Sequence, residues 1–218
     1  MSQVKYEDPI KRGYLNEDFL FFKLKDQKKN EFEFHYHDFN KIIIFLSGNV
    51  TYIIEGKSYL LKPWDILLVG KYDIHQPIIS PDVPYERIIL WLNPRFLDAH
   101  KKNDCDLQKC FSLATERKMN MIRLNKKDIP SIKQTLDELE QAVNDKSFGS
   151  EILKNALFIQ LMVKINRLFF GMDINKKLDD VRYDPRIEQI INYINDNLEN
   201  DLSIENISIK FYLNRYYL

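Results

Sequence analysis

The chain has 218 residues, 44% hydrophobic and 29% charged, which is a globular composition long enough for one or two domains with a proper core. Its 32 Lys and Arg balance 32 Asp and Glu, so bulk charge carries no nucleic-acid footprint. The first twenty residues are charged throughout and no apolar run reaches bilayer-spanning length, so neither a secretory signal nor a membrane span is expected. Cys105 and Cys110 are the only cysteines, and a C-x₄-C pair is neither a zinc set nor a redox CxxC. They are read as reduced thiols of a cytoplasmic protein.

Residues 1–17 are polar and turn-rich, an expected loose arm, and Phe19 to Phe22 reads as a buried strand. After a charged turn at 25–30, the next strand alternates: Phe32, Phe34 and Tyr36 on one face, Glu33, His35 and His37 on the other. On periodicity alone the histidine face reads as solvated. Ile42 to Leu46 is uninterrupted and apolar, a central strand buried on both faces. Strands follow at Val50–Glu55, Ser58–Leu61, Asp65–Val69, Ile74–Ile79 and Tyr85–Leu92, with a hairpin turn at Gly56-Lys57. Pro77, Pro81 and Pro84 fix the connection between the last two, because proline is excluded from a central ladder. Strands this short, with turns this close, predict a small antiparallel barrel or sandwich.

Beyond Asn93-Pro94 the character changes. A short helix is expected over Arg95–His100, then an irregular charged connection over 101–124. A helix is predicted over Asp128–Asn144, with Ile129, Ile132, Leu136, Leu139 and Val143 at helical spacing and Asn125 as its cap. Another follows Phe148-Gly149-Ser150, with Ser150 as cap. In it, thirteen of the nineteen positions from Ile152 to Phe170 are apolar and surround the helix, which asks for partners on more than one side. A wholly intramolecular core helix and a dimer interface over residues 151–170 both fit. Residues 173–183 read as a linker. An amphipathic helix at Pro185–Leu198 and another at Ser203–Phe211, capped by Ser203, then lead to a turn and to Arg215-Tyr216-Tyr217-Leu218.

The His35-x-His37 opening, the glycine turns at Gly48 and Gly56, the Leu61-Lys62-Pro63-Trp64-Asp65 corner and the late His75 together resemble a cupin barrel. More narrowly they resemble the sensor domain of AraC/XylS-family transcription regulators. The tail resembles the start of the AraC-type helix-turn-helix domain, with Ser203, Phe211 and Asn214 at matching places and Ser208 where the family has a small alanine. The resemblance implies an α+β protein. It would comprise a cupin-like antiparallel β-barrel that senses a ligand (1–95), a helical dimerisation segment (96–172), a linker (173–183) and a partial helix-turn-helix (184–218). It also turns the histidine face towards the barrel lumen. The candidate effector contacts are His35, His37, Lys41, Tyr52, Trp64 and His75, for a sugar or a small carboxylate, with Lys41 favouring an anion.

Two departures shape the expectations. Metal-binding cupins continue HxHxxxE, but Lys41 stands at the glutamate place, so no metal or other cofactor is expected, although three histidines could ligate zinc or iron without the carboxylate. The turn residue before Asp65 is Trp64 where a glycine is usual. In the tail, Asn214, Arg215, Tyr216 and Tyr217 would begin the recognition helix. From Arg182 onward four Lys and Arg face six Asp and Glu, a net acidic stretch. A truncated regulator is therefore expected, a homodimer that senses its effector and reads DNA only in a full-length form. A metal-dependent cupin dioxygenase or isomerase, or a decoy that only pairs with full-length regulators, are the alternatives.

Overall fold

Hydrophobic alternation along β2 (Asn40–Ser47) divides the molecule into two cores. In the computed structural model, which describes residues 11–27, 32–172, 180–183 and 185–211, β2 is buried from Asn40 to Phe45. Ile42 and Ile44 join Ile66, Leu68, Ile88 and Leu90 in a core shared with helices. Ile43 and Phe45 join Val50, Tyr52, Ile54, Tyr59 and Leu67 in a second core between two sheets. Successive strand residues point to opposite faces, so a run that is apolar at every position requires both layers.

The larger sheet has the order β1-β7-β2-β5-β8 and the smaller β6-β3-β4-β9. Their strands are β1 (Phe19–Asp26), β3 (Val50–Ile54), β4 (Lys57–Leu60), β5 (Asp65–Val69), β6 (His75–Ile79), β7 (Tyr85–Leu92), β8 (Met121–Arg123) and β9 (Val181–Tyr183). Every strand pairing is antiparallel. Glu55 and Gly56 both have positive φ, 47° and 74°, the pairing that a two-residue hairpin between β3 and β4 demands. Pro77 opposes Tyr52 on β6, an edge strand, where a missing N–H removes no central ladder bond.

On the outer face of the larger sheet lie α1 (Pro94–Ala99), α2 (Lys109–Glu116), α3 (Ile129–Asn144) and α4 (Ser150–Phe170). Phe158, Leu161, Met162, Ile165 and Phe169 of α4 are buried in the shared core, with Ile132, Leu136 and Leu139 of α3. The Asn166 amide is fully used: Oδ1 accepts from Cys110 N, and Nδ2 donates to the Leu107 and Met162 carbonyls. This ties α4 to α2 without leaving a buried polar atom unmet. Two further helices, α5 (Pro185–Asp196) and α6 (Ile204–Phe211), meet through an edge-on contact of Tyr193 with Phe211. Ser203 Oγ accepts from Asn206 N at 3.3 Å and caps α6. Ser208 is buried, and its hydroxyl donates to the Glu205 carbonyl, so a polar residue stands at that packing point without loss.

Several local expectations are corrected. Residues 101–124 are not simply irregular: they hold α2 and β8, and β8 extends the larger sheet beside β5. Three residues are too few for periodicity to reveal a strand. Asn125 does not cap α3, which starts at Ile129 with Pro130 in its first turn and no side-chain cap. Nor does Ser150 cap α4: it is the first helical residue, preceded by Gly149 in the left-handed region at φ 80°. Phe32 to His37 forms only isolated bridges, Tyr36 with Lys11 and His35 with His75. The end of the expected linker, 181–183, is a strand paired with β4; residues 173–179 lie outside the described ones.

Asp65 is the polar pin of this arrangement, its side chain 1% exposed. Its carboxylate accepts from Lys62 N at 2.7 Å and from Arg123 Nε and Nη2 at 3.0 and 2.8 Å, while Arg123 Nη1 reaches Asp180. Arg123→Ala leaves that buried carboxylate without its cation, which costs about 3 kcal/mol. Urea denaturation should show the loss as a lower midpoint with an unchanged slope.

Candidate functional site

The inner face of the smaller core ends in a polar cluster at one mouth of the barrel. Lys41 comes from β2, Tyr52 from β3 and His75 from the start of β6. His35 and His37 reach it from the segment before β2, where His35 and His75 exchange backbone hydrogen bonds of 3.2 and 2.9 Å. All five side chains are buried. The parity left open by sequence is thereby settled: His35, His37 and Phe39 turn inward, while Phe34 is exposed. Imidazoles, not the aromatic residues between them, face the lumen.

Each histidine is oriented by a backbone carbonyl. Nδ1 of His35 bonds the Glu33 carbonyl at 2.8 Å, Nδ1 of His75 bonds the Asp73 carbonyl at 2.8 Å, and Nδ1 of His37 bonds the Arg12 carbonyl. A carbonyl can only accept, so Nδ1 carries the proton in all three. The rings stand 4.4 to 5.1 Å apart between centroids. Lys41 Nζ lies 3.4 Å from both Tyr52 Oη and His75 Nε2. Among the described residues no carboxylate is within ion-pair distance of it.

Electrostatics follow from burial. Loss of solvent lowers His37 to about 4 and His75 to about 2, each helped by the neighbouring Lys41. His35 is lowered for the same reasons. Burial brings Lys41 down to about 7, with Arg87 adding to the effect, and holds the Tyr52 phenol well above 10.0. The cluster therefore offers three neutral imidazoles, a phenol donor and an amine close to its titration point.

Of the residues expected from sequence, His35, His37, Lys41, Tyr52 and His75 come together. Trp64 does not. It sits in the turn closed by Asp65 N on the Lys62 carbonyl at 2.9 Å, and packs against the helix-side core instead of the lumen. Its φ of 72° is the conformation a type II turn normally reserves for glycine, so the ring is carried away from the barrel interior. Asn214, Arg215, Tyr216 and Tyr217 lie outside the described residues. Two lumen residues were not singled out from sequence, Phe39 and Trp91, whose rings lie 4.8 and 5.8 Å from that of His37. Trp91 is opposite Lys41 in the ladder, so strand pairing places it on the same face.

A concavity of about 690 Å³ lies outside the barrel, between the β8–α3 connection and the end of α4. Arg117, Lys126, Lys127 and Arg167 line it, and Arg123 there is already held by Asp65 and Asp180. It brings together no set of buried polar side chains like that of the lumen.

The AraC-like ligand binding domain family matches residues 23–162. The transcriptional activator RhaS of Enterobacter sp. (strain 638) is 22% identical over 185 residues, 82% of this chain and 61% of that protein. RhaS of Escherichia fergusonii is 20% identical over 180 residues, with the same coverage of 82% and 61%. The chain thus spans 61% of the length of these curated relatives. An apo ToxT variant from Vibrio cholerae superposes with a TM-score of 0.48 at 16% identity, covering 93% of this chain and 73% of that one.

The buried basic cluster makes stability rise with pH. His37 and His75 stay neutral in the folded chain down to about 4 and about 2, but take up protons near 6.5 when unfolded. In that window the unfolded chain binds more protons, so stability falls as pH drops below about 6.5. Lys41 loses its proton at about 7 when folded and near 10.5 when unfolded, so stability rises again between those values. Urea midpoints measured from about pH 4.5 to about pH 9.5 should show both rises. Lys41→Met should flatten the upper one and His75→Gln should weaken the lower.

Proposed function

The chain belongs to the family of AraC-like ligand binding domains, and from that premise we propose that it is the sensing and pairing part of a ligand-responsive AraC-type transcription regulator. The observation that carries the reading is the lumen cluster: five buried polar side chains on three strands and their lead-in segment. A core made only for stability has no need of an amine, a phenol and three imidazoles, since each costs free energy to desolvate. The effector is a small polar molecule, a sugar or a small carboxylate. Tyr52 and the imidazoles suit hydroxyls, and Lys41 suits an anion.

The regulator reading is favoured over a cupin enzyme by the family match across 23–162. DNA recognition is assigned to a full-length form, in which Asn214, Arg215, Tyr216 and Tyr217 would begin the base-reading helix. The residues of α5 and α6 are read as the opening of that domain, and the protein acts in the cytoplasm, where its DNA lies. Pairing is assigned to residues 151–170. Along α4, Leu157, Phe158, Leu161 and Met162 are used internally, but Ile152 is 77% and Leu153 51% exposed, and Phe148 beside them is fully exposed. A second copy is the natural cover for such apolar surface.

Two measurements test these assignments. Thermal-shift and calorimetric screening against sugars and small carboxylates should find a binder. Lys41→Met or Tyr52→Phe should weaken it by roughly 10- to 100-fold, the range for a lost buried hydrogen bond to a charged or polar group. Trp64→Gly should leave its affinity unchanged. A binder indifferent to Lys41 and Tyr52 would place the effector elsewhere. For pairing, light scattering should give the mass of two chains for the wild type and of one chain for the Ile152→Asp/Leu153→Glu double variant. A folded double variant that keeps the paired mass would move the interface away from α4.

A further inference from the structure

The concavity outside the barrel is built from two kinds of side chain. Its floor is apolar. Ile122 of β8 and Phe169 of α4 are buried there, while Leu124, Leu168 and Met172 pack on the helix-side core and keep part of their surface open. Its rim is cationic. Arg117 follows α2, Lys126 and Lys127 lie in the β8–α3 connection, and Arg167 is in the last turn of α4. The Arg117 guanidinium stands over the Phe169 ring, 5.6 Å from its centroid, which holds one cation above the apolar floor. Among the described residues, none of these four cations has a carboxylate within ion-pair distance. Asp128 is the one acid of the lining, and its carboxylate accepts from the Asn125 amide at 3.4 Å.

We propose that this groove binds a small amphiphilic anion, a molecule with an apolar body and a carboxylate, sulfonate or phosphate headgroup. Cations gathered without counter-charge repel one another, and apolar surface left open to water costs free energy. Water alone relieves the first cost and a neutral hydrocarbon the second. An amphiphilic anion relieves both. The volume of about 690 Å³ is that of a small-molecule pocket and too small for a folded partner. Arginine offers paired N–H donors that match the oxygens of such headgroups. Met119 and Met172 in the lining are flexible and polarizable, so the floor can adapt to the shape of the body it receives. The groove shares no residue with the lumen cluster, so the proposal goes beyond the effector reading and does not rest on it.

Fluorescence titration of the whole chain with anilinonaphthalene sulfonate, an apolar body carrying one anion, tests the proposal. One saturable equivalent should bind, and more weakly as salt is raised, because charges at an open rim are screened. Octyl phosphate below its micelle threshold should displace the probe. Octanol, which lacks the charge, and inorganic phosphate, which lacks the body, should each need at least tenfold more. Arg117→Gln/Arg167→Gln should weaken probe binding by roughly 10- to 100-fold, the range for lost hydrogen bonds to a charged group. Arg117→Lys/Arg167→Lys, which keeps the charge, should recover part of that loss. Lys126→Glu/Lys127→Glu changes two exposed side chains, so it keeps the test decisive if the arginine variants fail to fold. It should weaken binding too. Lys41→Met alters the lumen alone and should leave the probe affinity unchanged. Absence of one-to-one binding would overturn the proposal, the groove then being covered by the chain itself or by a second copy. Displacement by octanol or inorganic phosphate as readily as by octyl phosphate would also overturn it, as would binding that folded rim variants retain or that Lys41→Met abolishes. None of these outcomes bears on the lumen screen, which is read with sugars and small carboxylates.

Discussion

A strand with no solvent face must send every side chain into one core or another, and β2 obeys that rule at six consecutive positions. Its even residues build the layer shared with α3 and α4, and its odd residues build the lumen. Lys41 is on the lumen side by parity alone. No local choice could expose it without turning Ile42 and Ile44 the wrong way, because a one-residue slip inverts the whole strand. The placement of a lysine inside the barrel is therefore a consequence of the packing of its neighbours.

The same constraint separates what was legible in the sequence from what was not. Strands with several branched residues, such as Ile42–Phe45 and Asp65–Val69, declare themselves because their burial is written into every position. The convergence of Lys41, Tyr52 and His75 was legible only through the resemblance to cupin sensor domains, because periodicity left the inward face of these strands open. Two features were not. β8 and β9 are three residues long, and their pairing is decided by the strands they meet, not by their own pattern. The destination of Trp64 depends on a single backbone angle, which residue type argues against. A tryptophan in a glycine conformation stores strain of about 1–3 kcal/mol, recovered only through its contacts with the helix-side core.

The lumen is electrically one-sided. Three imidazoles, an amine and, nearer the far end, Arg87 share it, while the carboxylate that pairs with Arg87, Asp26, is on the edge strand β1. Arg87 is consequently satisfied and stacks on Tyr85, leaving Lys41 as the cation without an anion among the described residues. Such a cluster resists a second positive charge.

The lumen is also joined to the C-terminal helices by a short mechanical path. Tyr52 on β3 is opposite Tyr59 on β4, and Tyr59 is opposite Val181 on β9. Asp180, just before β9, is gripped by Lys62 and Arg123, and Arg123 also holds the buried Asp65. Beyond β9, α5 lies against the β3–β4 hairpin so closely that a Cβ on Gly56 would stand 2.7 Å from Ile187. The first helix after the linker therefore rests on the turn of the hairpin whose β3 strand carries Tyr52. Ladder hydrogen bonds run from the strand that carries Tyr52 through β4 to β9, and the turn at Gly56 meets α5 at Ile187.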